Sequence, residues 1–152
     1  MTNLSLDTYL PYRLSMASNK VSALIAKAYE VRFGLTIPQW RILVVLSEGI
    51  ALSQKGLIER TAMDKVTISR SVGTLVVRGL LVKDNVMPDR RKDVLSLSAG
   101  GLGIVAEVAP LALEFEANLI TSLDATQCAS LHAMLRQLEG RAEALMVESQ
   151  KR

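Results

Sequence analysis

The stretch 64–97 constrains the fold most, because its hydrophobic period changes partway along. In DKVTISRSVGTLVVRG, residues 64–79, apolar residues recur at spacings of four, three and one, which predicts a helix with one buried stripe. The stripe consists of Ile68, Val72, Leu75 and Val76. A short apolar-rich segment follows, then turn residues, and then VLSLS, whose leucine–serine alternation predicts a strand. We therefore expect a helix followed directly by a β-hairpin.

The start of the predicted helix 64–79 is polar. Asp64 can cap it. Short hydrogen-bonding or cationic side chains fall outside the buried stripe, namely Lys65, Thr67, Ser69, Arg70 and Thr74. Threonine and serine are mediocre helix formers, so propensity does not explain the cluster. Two interpretations stay open: the side chains extend the cap and solvate the surface, or they contact bases and phosphates in a DNA major groove.

Three further helices are predicted before this one. Apolar periodicity favours one long helix from Pro11 to Phe33, ended by Gly34. Thr36 with Gln39 forms a capping-box pattern for a second helix that runs to about residue 48. Ser53 can cap a third, short one to about residue 60. The third and fourth helices, joined by a short turn, are typical of a helix-turn-helix whose second helix reads DNA.

The predicted hairpin carries three consecutive cations at its tip. Turn residues Asn85, Pro88 and Asp89 precede Arg90, Arg91 and Lys92. Beside a helix in the major groove, such a tip would reach phosphates or the minor groove. As an ion-pair partner, Asp89 could hold Arg91 extended. The hairpin is therefore interpreted as a wing.

Charge is distributed unevenly along the chain. Residues 53–97 hold 9 basic and 5 acidic residues, whereas residues 98–152 hold 4 basic and 7 acidic ones. The basic segment favours a polyanionic partner, although ordinary surfaces also carry such an excess. We find no apolar run of about 18 residues and no signal peptide, so we expect a cytoplasmic protein with no membrane span. The lone Cys128 excludes an internal disulfide, and no Cys-x-x-Cys pair could hold zinc.

Three segments resemble the MarR family of bacterial winged helix-turn-helix regulators, and the likeness extends along nearly the whole chain. They are FGLTIPQWRILVVL, MDKVTISRSVGTLVVRGLLVK and PDRRKDVLSLSAGG. In the last segment, Asp89 and Arg91 match an Asp-x-Arg wing pattern. Leu97, Ser98 and Gly101 match a Leu-Thr-x-x-Gly pattern with serine in place of threonine. The resemblance implies a homodimer that binds double-stranded DNA and, in many members, a small-molecule effector.

Carried onto this chain, the family's DNA-touching positions lie in the recognition helix and the wing. They are Lys65, Thr67, Ser69, Arg70 and Thr74, with Arg90 and Arg91. We expect the adjoining Lys92, with the two wing arginines, to add affinity through phosphate or minor-groove contact. Gly73 and Val77 stand where family members often have polar or charged residues. We expect Gly73 to reflect close packing against another element, since glycine inside a helix costs about 1 kcal/mol relative to alanine.

The C-terminal third is predicted to form a dimer. Two long apolar stripes, the second after the capping-box pair Asp124 and Gln127, exceed what one subunit can bury. The expected fold is mainly α with a small β-hairpin wing. Residues 35–98 would form the winged helix-turn-helix lobe, and residues 1–34 and 99–152 the helical dimerisation region. Two recognition helices one DNA turn apart would select a pseudo-palindromic site.

The sequence thus favours a DNA-binding regulator, and the family resemblance implies a repressor that a small-molecule effector releases from DNA. Two alternatives stay open: a winged-helix module whose basic tip meets an acidic protein, and an activator without a ligand. We expect no enzyme and no cofactor, because the chain has no Gly-rich phosphate loop, metal motif or nucleophile elbow. The lone His132 is interpreted as a surface or interface residue. Whether Cys128 has a redox role is left open, and so is whether Tyr12, Met16, Trp40 and Phe115 line an effector pocket or an ordinary core.

Overall fold

A computed structural model describes residues 4–85 and 93–151 of the chain. Those residues are mainly helical, with one two-stranded antiparallel sheet, which confirms the predicted fold class. The elements are α1 (Leu10–Ala26), α2 (Glu30–Phe33), α3 (Ile37–Ser47), α4 (Gln54–Thr61), α5 (Lys65–Val77), β1 (Leu81–Asn85), β2 (Asp93–Leu97), α6 (Ala99–Ile120) and α7 (Ala125–Gln150). None of the described helices is both long and apolar enough to span a membrane.

The prediction of a single helix over residues 11–33 is wrong. Helix α1 ends at Ala26, a turn follows, and α2 begins at Glu30. The break lies where the chain enters the core: Ala28 and Tyr29 are buried, and the Tyr29 ring stacks on Trp40 with 5.2 Å between ring centroids. Tertiary packing therefore overrides a helical periodicity that continues through the turn.

The caps predicted for α3, α4 and α5 are all present. At the start of α3, the backbone N–H of Gln39 donates to the Thr36 hydroxyl (3.4 Å), and the Gln39 side chain accepts from the Thr36 N–H (3.1 Å). At α4, Ser53 Oγ accepts from the N–H of Gly56 at 3.1 Å. Asp64 caps α5. These bonds satisfy backbone donors that a helix leaves unpaired at its start.

Most of the hydrophobic core lies between α3, α4, α5 and the sheet. Ile68 and Leu75 of α5 are fully buried and Val72 nearly so, which confirms the predicted stripe; Val76 packs against it partly buried. Leu57 of α4 is also fully buried. The remaining buried apolar residues are Ala26, Ala28, Tyr29, Leu35, Trp40, Ile42, Leu43, Leu46, Leu80, Leu81, Leu95 and Val108.

The base of the hairpin is fixed on both sides. Strand β1 pairs with β2 in a register that sets Leu81 opposite Leu97. On the other edge of β2, Leu95 exchanges two backbone hydrogen bonds with Leu52, of 2.8 and 3.0 Å. Because Leu95 is also buried, β2 is held by both hydrogen bonds and core packing.

The junction between β2 and α6 explains the serine–glycine pair of the wing pattern. The Ser98 hydroxyl donates to the carbonyl oxygen of Gly79 (2.6 Å) and accepts from the N–H of Gly101 (3.0 Å), so it caps α6. A Cβ at position 101 would lie 2.2 Å from the carbonyl oxygen of Leu80. Only glycine fits at this position without a shift of the backbone.

Residues 1–115 and residues 116–152 form two separate compact units. The second unit contains α7, whose predicted capping box is present: the N–H of Gln127 donates to Asp124 at 2.8 Å, and the N–H of Asp124 to the Gln127 side chain at 2.9 Å. No residue of α7 is buried, and Leu138 and Leu145 are 39% and 46% exposed. The division into a winged lobe 35–98 and dimerisation segments 1–34 and 99–152 stays a prediction.

Candidate nucleic-acid interface

The first turn of α5 is organised by Asp64. One carboxylate oxygen accepts from the N–H of Thr67 at 2.8 Å, and the other accepts from the Thr67 hydroxyl at 2.6 Å. The bond from the Thr67 side chain, followed by that from its backbone, lowers the pKa of Asp64 below its usual value. Because the folded-state pKa is the lower one, the cap stabilises the fold above the unfolded pKa and is lost as the pH falls through the folded one.

Thr67 therefore has a structural role that its position alone did not reveal. It is half-buried, and the proton of its hydroxyl is donated to the Asp64 carboxylate. The hydroxyl oxygen can still accept a hydrogen bond. That Thr67 contacts DNA stays a prediction, and such a contact would be limited to donors on the DNA.

The exposed face of α5 carries two positively charged side chains, Lys65 and Arg70. Lys65, Val66, Ser69 and Arg70 are exposed, and together they line a shallow depression of about 490 Å³. Among the described residues, neither Lys65 nor Arg70 has an ion-pair partner. Both charges are therefore available to an anion that approaches the helix.

A second depression, of about 240 Å³, lies where the start of α3 meets α5. It is lined by Thr36, Pro38, Gln39, Thr67, Arg70, Ser71 and Thr74. Arg70 thus borders both depressions. The first turns of α3 and α5 contribute to this surface, and helix N-termini carry partial positive charge that favours phosphate groups. The sequence pattern did not reveal the contribution of Thr36 and Pro38, because it depends on the packing of α3 against α5.

The second half of α5 is less polar. The exposed hydroxyl of Thr74 donates to the carbonyl oxygen of Arg70 at 3.1 Å, within its own helix. Val77 is 89% exposed. The expectation that Gly73 packs closely against another element is wrong: in the part of the chain that the structure describes, no atom lies within 4 Å of where its Cβ would be. The face of α5 around Gly73 is therefore open.

Arg78, just after α5, is used inside the fold. Its guanidinium donates to the carbonyl oxygens of Phe33 (2.5 Å) and Gly34 (3.1 Å). It therefore satisfies backbone acceptors at the end of α2 and ties α5 to that helix. Although Arg78 belongs to the basic segment of the sequence, we do not assign it to the interface.

The predicted wing contacts fall on residues 86–92. Arg90, Arg91 and Lys92, predicted to bind DNA, and the predicted ion pair between Asp89 and Arg91 lie outside the described residues. Both stay predictions. Below them, Lys83 of β1 pairs with Asp93 of β2 at 2.6 Å between Nζ and the carboxylate. This ion pair links the two strands where the described part of the hairpin ends.

A metal site and an effector pocket have less support in the described residues than the surface of α5 has. Among residues 4–85 and 93–151, no group of His, Cys, Asp and Glu side chains converges as a metal ion requires. A depression of about 280 Å³ between α3 and α4 is lined by Trp40, Arg41, Val44, Val45, Arg60 and Thr61. Its two arginines already bind within the chain, Arg41 to Ser22 and Arg60 to Glu48. Of the four residues that sequence analysis considered for an effector pocket, only Trp40 lines this depression.

The chain is similar in sequence and in fold to known transcriptional regulators. The model of the MarR family matches residues 33–92. A solved probable transcriptional regulator from Pseudomonas aeruginosa is 31% identical, covers 88% of this chain and 99% of its own, and has a TM-score of 0.76. A MarR/EmrR family regulator from Acinetobacter sp. ADP1 is 23% identical, with 93% and 99% covered and a TM-score of 0.85.

A third structure was solved with a ligand. It is the PcaV transcriptional regulator from Streptomyces coelicolor in complex with its natural ligand, 25% identical, with 93% and 99% covered and a TM-score of 0.80. A comparison with curated proteins finds no match.

Proposed function

Since the chain belongs to the MarR family of transcriptional regulators, we propose that it is a homodimeric repressor that binds a pseudo-palindromic DNA site. The observation that carries this proposal is the division of α5 into two faces. Ile68, Val72 and Leu75 anchor the helix in the core, while Lys65 and Arg70 face outwards without an ion-pair partner among the described residues. A rigidly held helix with free cations at its start suits the major groove.

We expect the individual side chains of α5 and the wing to make different contacts with DNA. Arg70 borders both depressions and is suited to guanine, whose edge accepts two hydrogen bonds from one guanidinium. Ser69 would contact a base or a phosphate, and Lys65 a phosphate. Arg90, Arg91 and Lys92 would add affinity through phosphates or the minor groove, as expected from the sequence.

Dimer formation is supported by the exposed apolar residues of α7. Leu131, Leu138, Leu145 and Met146 are between 39% and 58% exposed, and a second subunit would cover them. We propose that a small molecule binds the protein and releases the DNA. In support, the similar PcaV regulator was solved in complex with its natural ligand. The protein would act in the cytoplasm, where its DNA is.

The test is a binding titration by fluorescence anisotropy at two salt concentrations. The full-length protein is titrated with the DNA that flanks its own gene, with the best duplex selected from a random pool, and with a random duplex. We expect the selected duplex to bind at least about a thousandfold more tightly than the random one. No binding to any duplex would contradict the proposal, whereas weak binding without sequence preference would favour the protein-interaction module.

Arg70→Ala tests the recognition helix directly. We expect it to cost about 1 to 3 kcal/mol of discrimination between selected and random DNA. The matched control is Arg136→Ala, which removes one exposed guanidinium from α7. Equal losses on both duplexes for Arg70→Ala would contradict a base-reading role for this residue.

A further inference from the structure

Val66 is an apolar residue in the middle of a polar surface. It occupies the second position of α5, it is 64% exposed, and it lines one depression with Lys65, Ser69 and Arg70. The buried stripe of the same helix runs through Ile68 and Leu75, which are fully buried. Val66 therefore belongs to the face that the core does not use.

Neither folding nor helix propensity accounts for a valine at this position. Its side chain is mostly exposed, so burial contributes little to stability. β-branched residues lose side-chain freedom in a helix and are poorer helix formers than alanine, lysine or glutamate. A contact with a molecule outside the chain would give this side chain the burial that the fold does not provide.

We propose that Val66 recognises thymine, by packing its methyl groups against the thymine 5-methyl group in the major groove. This rests on the proposed function, because it needs α5 to lie in that groove. The residues near the N-terminus of a recognition helix are those that reach base edges. Val66 is in the first turn, whereas the more exposed Val77 follows 11 positions later, roughly 16 Å along the helix.

The chemistry of the groove selects thymine. The major-groove edges of guanine, cytosine and adenine present hydrogen-bond donors and acceptors, and thymine alone adds an apolar group, its methyl. A valine set against a donor or acceptor would remove water from it without replacing the hydrogen bond. The neighbouring side chains of Lys65, Ser69 and Arg70 are polar, so they can contact the phosphates and polar base edges on either side.

Uracil substitution isolates this contact, because uracil differs from thymine only in lacking the 5-methyl group. The full-length protein first selects its best duplex from a random pool. Each thymine of that duplex is then replaced singly by uracil, and dissociation constants are measured for the wild type, Val66→Ala and the matched control Val77→Ala. Alanine is the better helix former, so both variants should fold.

For the wild type, we expect one thymine in each half-site at which uracil weakens binding about fourfold, the value of one buried methyl group. Replacing both should weaken binding about fifteenfold. Val66→Ala should bind the thymine and uracil duplexes equally, whereas Val77→Ala should keep the wild-type difference.

Two results would overturn the proposal: wild-type binding that no uracil substitution weakens, or full uracil sensitivity retained by Val66→Ala at every position. Failure of the proposed function would be seen earlier, as a wild-type protein that selects no sequence from the pool. The two failures are therefore distinguishable.

Discussion

Helices α5 and α7 have the same kind of amphipathic pattern but differ in what covers their apolar side chains. In α5, Ile68, Val72 and Leu75 are at most 4% exposed, and the same chain covers them. In α7, no residue is buried, and Leu138 and Leu145 are 39% and 46% exposed. Periodicity alone therefore identifies an apolar face, but does not say whether the same chain or a second chain buries it.

In the proposed function, the contrast corresponds to two tasks. The core behind α5 holds its polar face in one orientation, which a DNA-reading surface requires. The exposed stripe of α7 would pair two subunits in the proposed dimer, so that two such surfaces would act on one DNA site.

Ile68→Ala should have the largest effect on folding. Removing a fully buried isoleucine side chain should lower the free energy of unfolding by about 2 to 5 kcal/mol, measured by urea denaturation at fixed protein concentration. The control is Val66→Ala, on the exposed face of the same helix, for which we expect a change within about 0.5 kcal/mol. Equal changes in both variants would mean that α5 does not have the two faces described.

The double variant Leu138→Glu, Leu145→Glu tests α7. We expect dimer dissociation to become at least about a hundredfold easier, because two carboxylates cannot be buried unpaired at an interface. Sedimentation equilibrium measures this, and circular dichroism should show that the helix content is retained. Arg136→Glu changes the charge by the same amount on another face of α7 and should leave the dimer intact. An unaltered dimer in the double variant would place the subunit interface elsewhere.

Gly101 and Gly73 differ in how tightly their surroundings are packed, and an alanine substitution at each tests that difference. Gly101→Ala brings a Cβ to 2.2 Å from the Leu80 carbonyl oxygen, so we expect a loss of about 1 to 3 kcal/mol in unfolding free energy. Gly73→Ala meets no atom of the described residues within 4 Å and should instead raise stability by up to about 1 kcal/mol. Thermal denaturation of both variants measures the signs, and a loss with Gly73→Ala would contradict an open face on α5.

The ionisation of Tyr29 tests whether the segment between α1 and α2 is buried in the core. Burial, with a smaller contribution from Glu30, raises its pKa to about 12. An unfolded tyrosine releases its proton near pH 10, so the unfolded state binds fewer protons above that pH and stability falls as the pH rises towards 12. We expect wild-type stability to fall by about 1 to 2 kcal/mol more than that of Tyr29→Phe over this range, measured by urea denaturation. Parallel pH profiles would show that the Tyr29 hydroxyl is not desolvated.

Parts of the candidate site could be predicted from the sequence, and other parts could not. The exposed face with Lys65 and Arg70 follows from helical spacing, and so does the cap at Asp64, because both depend on residues three or four positions apart. The use of Thr67 within that cap was missed, since a hydroxyl at this position suits a cap and a DNA contact equally. The share of α3 in the second depression was missed because it depends on packing between helices.

Gly73 and Gly101 also show that the sequence does not reveal contacts between distant segments. From the sequence, Gly73 inside a helix suggested close packing, yet its surroundings are open, and the tight contact occurs at Gly101 instead. The contact at Gly101 is made by the Leu80 carbonyl, about twenty positions earlier in the chain. No local pattern reports a neighbour at that separation.

What the sequence alone determined is local: the starts of α3, α4, α5 and α7, the buried stripe of α5 and the existence of a hairpin after it. Hydrogen bonds and side-chain contacts within one turn of helix or along one strand decide these features. Only the tertiary structure decided that the first helix ends at Ala26, that Leu52 pairs with β2 and that Gly101 lies against the Leu80 carbonyl. These depend on contacts between distant segments, where packing in the core outweighs the small energies of local propensity.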